Sequence, residues 1–152
     1  MRKAKGFSLI ELLIVVAIIL IIAAIAIPNL VKSKMAANEA AAVGSVRTVV
    51  TSELTYASVY PSTGFTTLAN LNSAGLIDSV LGGGSKSGYS FATSNIAGTP
   101  PSSTFMLNAN PITVGTTGTN YYCSDQTGVI IRGTTALTLS GSTCSGGTPI
   151  GQ

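Results

Sequence analysis

From Phe7 to Ile27 the chain is a run of Leu, Ile, Val and Ala broken by two clearly polar side chains, Ser8 and Glu11. As a helix this run spans roughly 30 Å, about the thickness of a bilayer's hydrocarbon core. Behind Pro28 the pattern changes from continuous to periodic. Val43, Val46, Val50, Leu54 and Ala57 recur at spacings of three and four, the signature of an amphipathic helix with one buried stripe. Ala36, Ala37, Ala40, Ala41 and Ala42 between them are strong helix formers. Pro28 removes one backbone hydrogen bond, which predicts a kink there and not a stop. The pattern therefore predicts a near-continuous helix from Phe7 to about Tyr60, ~80 Å long, ended by Pro61 and Gly64.

From Phe65 onward Ser, Thr, Gly, Asn and Pro dominate. Thr67 to Leu71 and Ala74 to Leu81 read as short helical turns, the second ended by Gly82-Gly83-Gly84. Strand-like runs follow at Gly88 to Thr93, Thr104 to Ala109, Gly118 to Cys123, Gly128 to Arg132 and Ala136 to Leu139. Tyr121 to Ile131 reads as a hairpin about the polar turn Asp125-Gln126-Thr127. The class is α+β, with one small antiparallel sheet whose apolar face covers the Val43 to Ala57 stripe.

Charge orients this arrangement. Arg2, Lys3 and Lys5 precede the apolar run, and flanking cations stay on the cytoplasmic side, so the bulk of the chain faces outward. Glu11 is the costly residue, because a carboxylate among apolar side chains needs a partner. No cation follows it within the run. Cleavage after Gly6 would create one, the α-amine of Phe7, able to neutralise Glu11 of its own chain or of a displaced neighbour. An ordinary secretory signal cut near Ala24-Ile25-Ala26, or a plain signal anchor, accounts for the hydrophobicity but leaves Glu11 unexplained.

The chain's 152 residues suit one folded domain. Loss of Met1 to Gly6 would leave Lys32, Lys34, Arg47, Lys86 and Arg132 against Glu11, Glu39, Glu53, Asp78 and Asp125, a balance of zero. The pI near 9.0 thus belongs to the first six residues, and no basic patch with interleaved aromatics marks a nucleic-acid surface. Cys123 and Cys144, on the outward side, favour a disulfide over metal ligation, since the chain has no His to complete a zinc site. No cofactor and no metal is implied. The five acids are scattered, and Gly82-Gly83-Gly84-Ser85-Lys86 lacks the spacing of a phosphate-binding loop, so no catalytic constellation assembles and the chain reads as a non-enzyme. Tyr56, Tyr60, Tyr89, Phe91, Tyr121 and Tyr122 read as packing residues. The Ser and Thr density fits β and turn preference, with O-glycosylation the alternative.

Lys5-Gly6 followed by Phe7-Ser8-Leu9-Ile10-Glu11-Leu12 and the apolar run resembles the class III signal of type IV prepilins and type II secretion pseudopilins. The resemblance implies cleavage between Gly6 and Phe7 by a prepilin peptidase, N-methylation of Phe7, an assembly role for Glu11 and a helix interruption at Pro28. Leu20 stands where many relatives have Gly. Segments around Lys86 to Phe91, Asn110-Pro111 and Asp125 to Arg132 resemble pilin and major-pseudopilin sheets more diffusely, and a disulfide between Cys123 and Cys144 resembles the loop many pilins close near the carboxy terminus. The implied organisation is a leader over 1–6, a transmembrane and filament-core half-helix over 7–28, an amphipathic half-helix over 29–60 and a globular region over 61–152.

The implied function is a structural subunit of a type IV pilus, held as a single-pass protein in the inner membrane and then assembled with identical subunits into an extracellular filament. Its implied partners are those subunits, the membrane, prepilin peptidase, the pilus assembly machinery and surface or cell receptors. The alternative is a pseudopilin of a periplasmic pseudopilus. Major pseudopilins typically bind calcium through acidic loop residues and lack the disulfide, whereas the carboxy-terminal half here offers Asp78 and Asp125 alone.

Overall fold

A computed structural model describes residues 6–97, 101–140 and 143–151. Residues 1–5 of the expected leader, with Arg2, Lys3 and Lys5, lie outside the described residues. The chain divides into two units, one through Lys34 and one from Met35. Helix α1, Leu9–Val59, carries the chain from the first into the second and contains Pro28 within its helical run. Its ends fall within two residues of the sequence expectation (Phe7 to Tyr60).

In the first unit the side chains of α1 are exposed almost throughout. Leu9 is 80 % exposed, Leu20 63 % and Leu30 70 %. This segment is long and apolar enough to cross a membrane, and none of its most apolar window is buried.

The second unit begins with the rest of α1. Two short helices follow, α2 (Leu68–Ser73) and α3 (Ser79–Gly82), capped by Thr67 and Asp78. The expected turn from Ala74 to Leu81 is helical only at its end, because Asp78 accepts the Leu81 N–H at 2.8 Å and starts a new helix there. Six strands then form an antiparallel sheet in the order β1 (Ser85–Lys86), β2 (Tyr89–Ala97), β3 (Thr104–Pro111), β4 (Tyr121–Asp125), β5 (Ile130–Gly133) and β8 (Thr148–Ile150). Between β5 and β8 the chain makes a separate hairpin of β6 (Thr138–Ser140) and β7 (Thr143–Ser145). The run expected at Ala136 to Leu139 therefore does not extend the main sheet. Its place at the edge is taken by Thr148–Ile150, where Ile150 pairs with Ile130.

Residues paired across antiparallel strands share a face. On one face Phe91 pairs with Ala109 and Leu107 with Ser124, and Tyr89, Phe105, Tyr122 and Ile130 join them in the core against α1. The opposite face carries Met106 paired with Asp125, and Cys123 beside them; all three are buried.

The buried stripe of α1 is rotated from the one expected. Ala42, Val46, Val49, Val50 and Glu53 are buried, whereas Leu54 is 49 % exposed. Val43 packs at the core's margin, and Ala57 is half-buried. The pattern of apolar residues omitted the polar members of the interface, Ser45, Ser52 and Glu53. Ser52 is admitted because its hydroxyl donates to the Leu76 carbonyl at 3.1 Å.

Candidate functional site

Gly6 and Phe7 precede the helix, and Phe7 is 76 % exposed. Ser8 occupies the position before the first helical residue, and its carbonyl accepts the Leu12 N–H at 3.2 Å. The Glu11 carboxylate reaches back to accept the Ser8 N–H at 2.9 Å. Ser8-Leu9-Ile10-Glu11 thus has the spacing of a capping box and makes its carboxylate-to-backbone half. The negative charge sits in the first turn, where unpaired N–H groups and the helix dipole favour it. It lies beside the backbone nitrogen next to Phe7, the residue whose α-amine a cut after Gly6 would liberate.

Pro28 follows in the exposed apolar part of α1, and the helix continues past it. Cys123 of β4 and Cys144 of β7 form a disulfide, with Cα atoms 6.0 Å apart and a sequence separation of 21. Asp125 braces the same hairpin. Its carboxylate accepts Thr127 N–H at 2.8 Å, Thr127 O–H at 2.6 Å and Cys144 N–H at 3.0 Å. Asp78 caps α3 and pairs with Lys86 at 2.6 Å, which holds its carboxyl below the usual range. Among the described residues no group of three His, Cys, Asp or Glu side chains is placed to hold a metal.

Two glutamates matter more than their scattered positions suggested. Glu39 of α1 binds the segment before β4: one oxygen accepts Thr119 N–H at 2.8 Å, Thr119 O–H at 3.0 Å and Asn120 N–H at 3.2 Å, and the other accepts the Asn120 amide at 2.8 Å. Partial burial pushes the Glu39 carboxyl up, but these bonds prevail and hold it below its ordinary value. Burial, and then the Glu39 charge, push the Tyr122 hydroxyl up to about 12. Glu53 is fully buried. One of its oxygens accepts the Thr66 N–H at 2.9 Å, the other has no hydrogen-bond partner among the described residues, and burial pushes the carboxyl up to about 7 despite that bond. The signal for Glu53 was its place three and four residues after Val50 and Val49, on the stripe itself. For Glu39 the chain offers no local signal, because its partners lie 80 and 81 residues away.

The prokaryotic N-terminal methylation motif matches residues 1–27. The amino-terminal segment is thus similar to that of type IV pilins. The type IV wide pilus major component PilA4 of Thermus thermophilus is 64 % identical over 39 residues, 26 % of this chain and 30 % of that one. The match thus spans less than a third of either protein. No solved structure matches the chain. The long apolar helix, whose second part packs on a small antiparallel sheet, is a type IV pilin-like architecture. Within the matched motif the structure brings Ser8 and Glu11 together; Pro28 and the disulfide lie elsewhere in the chain.

Proposed function

We propose that the chain is a structural subunit of a type IV pilus, cut between Gly6 and Phe7 by a prepilin peptidase, methylated at Phe7 and assembled from the inner membrane with copies of itself. The observation that carries this reading is the first unit, where the large apolar side chains of α1 are exposed among the described residues over a stretch long enough to cross a membrane. Such a surface has two stable surroundings, hydrocarbon and a bundle of like helices. Passing from lipid to bundle exchanges contacts of similar polarity, so a local pairing decides the register.

Glu11 supplies one half of that pairing and the Phe7 amine the other. The bond from Ser8 N–H already holds the carboxylate at the helix start, and in the bundle an incoming amine neutralises it. A lone buried charge costs about 3–5 kcal/mol, enough to disfavour any register that leaves Glu11 unmatched. The PilA4 relative, named as a major component of a wide pilus, supports a filament subunit through the shared amino-terminal segment. Antibodies raised against the second unit test the reading by immunogold microscopy of surface fibres. Decoration along the length of fibres supports it; label confined to the cell envelope contradicts it.

A further inference from the structure

The segment 112–120, between β3 and β4, presents two apolar side chains to solvent on a tightly held loop. Ile112 is 57 % exposed and Val114 58 %. The loop has its own hydrogen bonds: Thr113 N–H to Thr117 Oγ1 at 3.0 Å, Thr117 N–H to the Thr113 carbonyl at 2.9 Å, and Gly115 N–H to the Gly118 carbonyl at 2.9 Å. Gly115 takes a φ of 80°, open to glycine at no steric cost, and a Cβ on Gly118 would run into the Tyr89 ring. The core holds the loop too, since the Tyr89 hydroxyl donates to the Asn120 carbonyl at 2.8 Å and Ile112 N–H bonds the Gly88 carbonyl at 3.0 Å.

Helix α1 holds it from the other side. The Asn38 amide donates to the Thr117 carbonyl at 2.9 Å, and Glu39 takes its four bonds from Thr119 and Asn120. Asn38 and Glu39 belong to the first turn or so of the second unit, which starts at Met35. The loop is therefore fixed at the end of that unit where the chain enters it. Four residues earlier in the chain is Lys34, with Lys32 before it; both are exposed and follow the apolar stretch directly. Lysines at the end of a membrane-crossing stretch extend their ammonium groups to the phosphate level of the bilayer surface. From 112 to 120 the loop itself has no charged side chain to resist an apolar surface.

We propose that this loop is a second membrane contact of the unassembled subunit, with Ile112 and Val114 seated among the lipid headgroups on the outward face of the bilayer. The proposal rests on the reading that the apolar part of α1 lies in the membrane. Because the loop is already held by its own hydrogen bonds and those of Glu39, contact costs little ordering entropy. Assembly must then break this contact as well as withdraw the helix.

The chain contains no Trp, so single substitutions serve as reporters. The full-length chain is reconstituted in phosphatidylethanolamine and phosphatidylglycerol vesicles with or without lipids brominated high on the acyl chain. Val114→Trp is compared with Val59→Trp, similarly exposed but twenty residues beyond Glu39 on α1, about 30 Å away, and with Leu20→Trp in the apolar stretch. The proposal expects Trp at 114 to be quenched about twofold more than Trp at 59, as befits an interfacial side chain. Equal weak quenching at 114 and 59 with strong quenching at 20 overturns the loop contact and leaves the membrane reading standing. Absence of quenching at 20 removes both. A blue-shifted Trp at 114 that responds to protein density and not to brominated lipid assigns the loop to a second copy of the chain and overturns the proposal.

Discussion

The buried carboxylate of Glu53 holds the N–H of Thr66 at 2.9 Å and leaves its second oxygen without a partner among the described residues. This bond ties the end of α1 to the segment leading into α2. It is also costly, since an ionised carboxylate there has one donor among the described residues where water would supply several.

Stability is therefore expected to fall as pH rises. Between the ordinary value of 4.5 and about 7, folded Glu53 keeps a proton that the unfolded chain has released. Over that interval the shift amounts to about 3 kcal/mol. In Glu53→Gln the amide stays neutral and its carbonyl still accepts from Thr66, so its unfolding midpoint should change little over this window and exceed that of the parent at pH 8. Denaturant titrations of both proteins from pH 5 to pH 8 check this; parallel curves contradict it.

Glu39 has the opposite dependence. Its folded carboxyl gives up the proton more readily than the unfolded one, so its contribution is present above the ordinary value of 4.5 and lost as pH falls through the lower folded value. Glu39→Ala removes the acceptor of four bonds and should cost about 2–3 kcal/mol, with the Thr119 and Asn120 amides exchanging hydrogen faster. Glu39→Gln, which keeps an acceptor for Thr119, should recover much of the loss.

The Cys123–Cys144 disulfide ties the β6–β7 hairpin to β4. A closed loop of this length is worth about 3 kcal/mol in the chain-entropy model. Replacing both cysteines with Ser should lower stability by that order and raise proteolysis around Thr143–Ser145 while the α1 core survives. Unchanged stability after reduction would show that the hairpin is held by its Asp125 bonds instead.

For Glu11, the expected result is a separation of processing from assembly. Glu11→Gln and Glu11→Ala should be cut after Gly6 and remain in the membrane, yet yield few filaments. Fibre yield equal to that of the parent removes the charge pairing from the account.

The sequence made α1 legible because its two patterns, continuous and periodic, are local and strong. The signal Gly6-Phe7-Ser8-Leu9-Ile10-Glu11 was equally local, and the Glu11 bond to Ser8 N–H follows from its capping-box spacing. The face of α1 was misjudged by the positions of Leu54 and Glu53, because apolar counting ranks Leu above Glu while a backbone donor at Thr66 made room for the acid. The edge strand Thr148–Ile150 and the hairpin before it were hidden for another reason. Both are short, rich in Gly, Ser and Thr, and fixed by contacts with β4 and β5 that no local pattern encodes.

The central claim is that this chain is processed at Gly6-Phe7 and built into a filament. Mass spectrometry of fibres sheared from the cell surface reads that directly. The account predicts a dominant chain beginning with N-methylated Phe7. A chain beginning near Ile27 contradicts it outright, and a processed Phe7 terminus confined to the membrane fraction contradicts the filament.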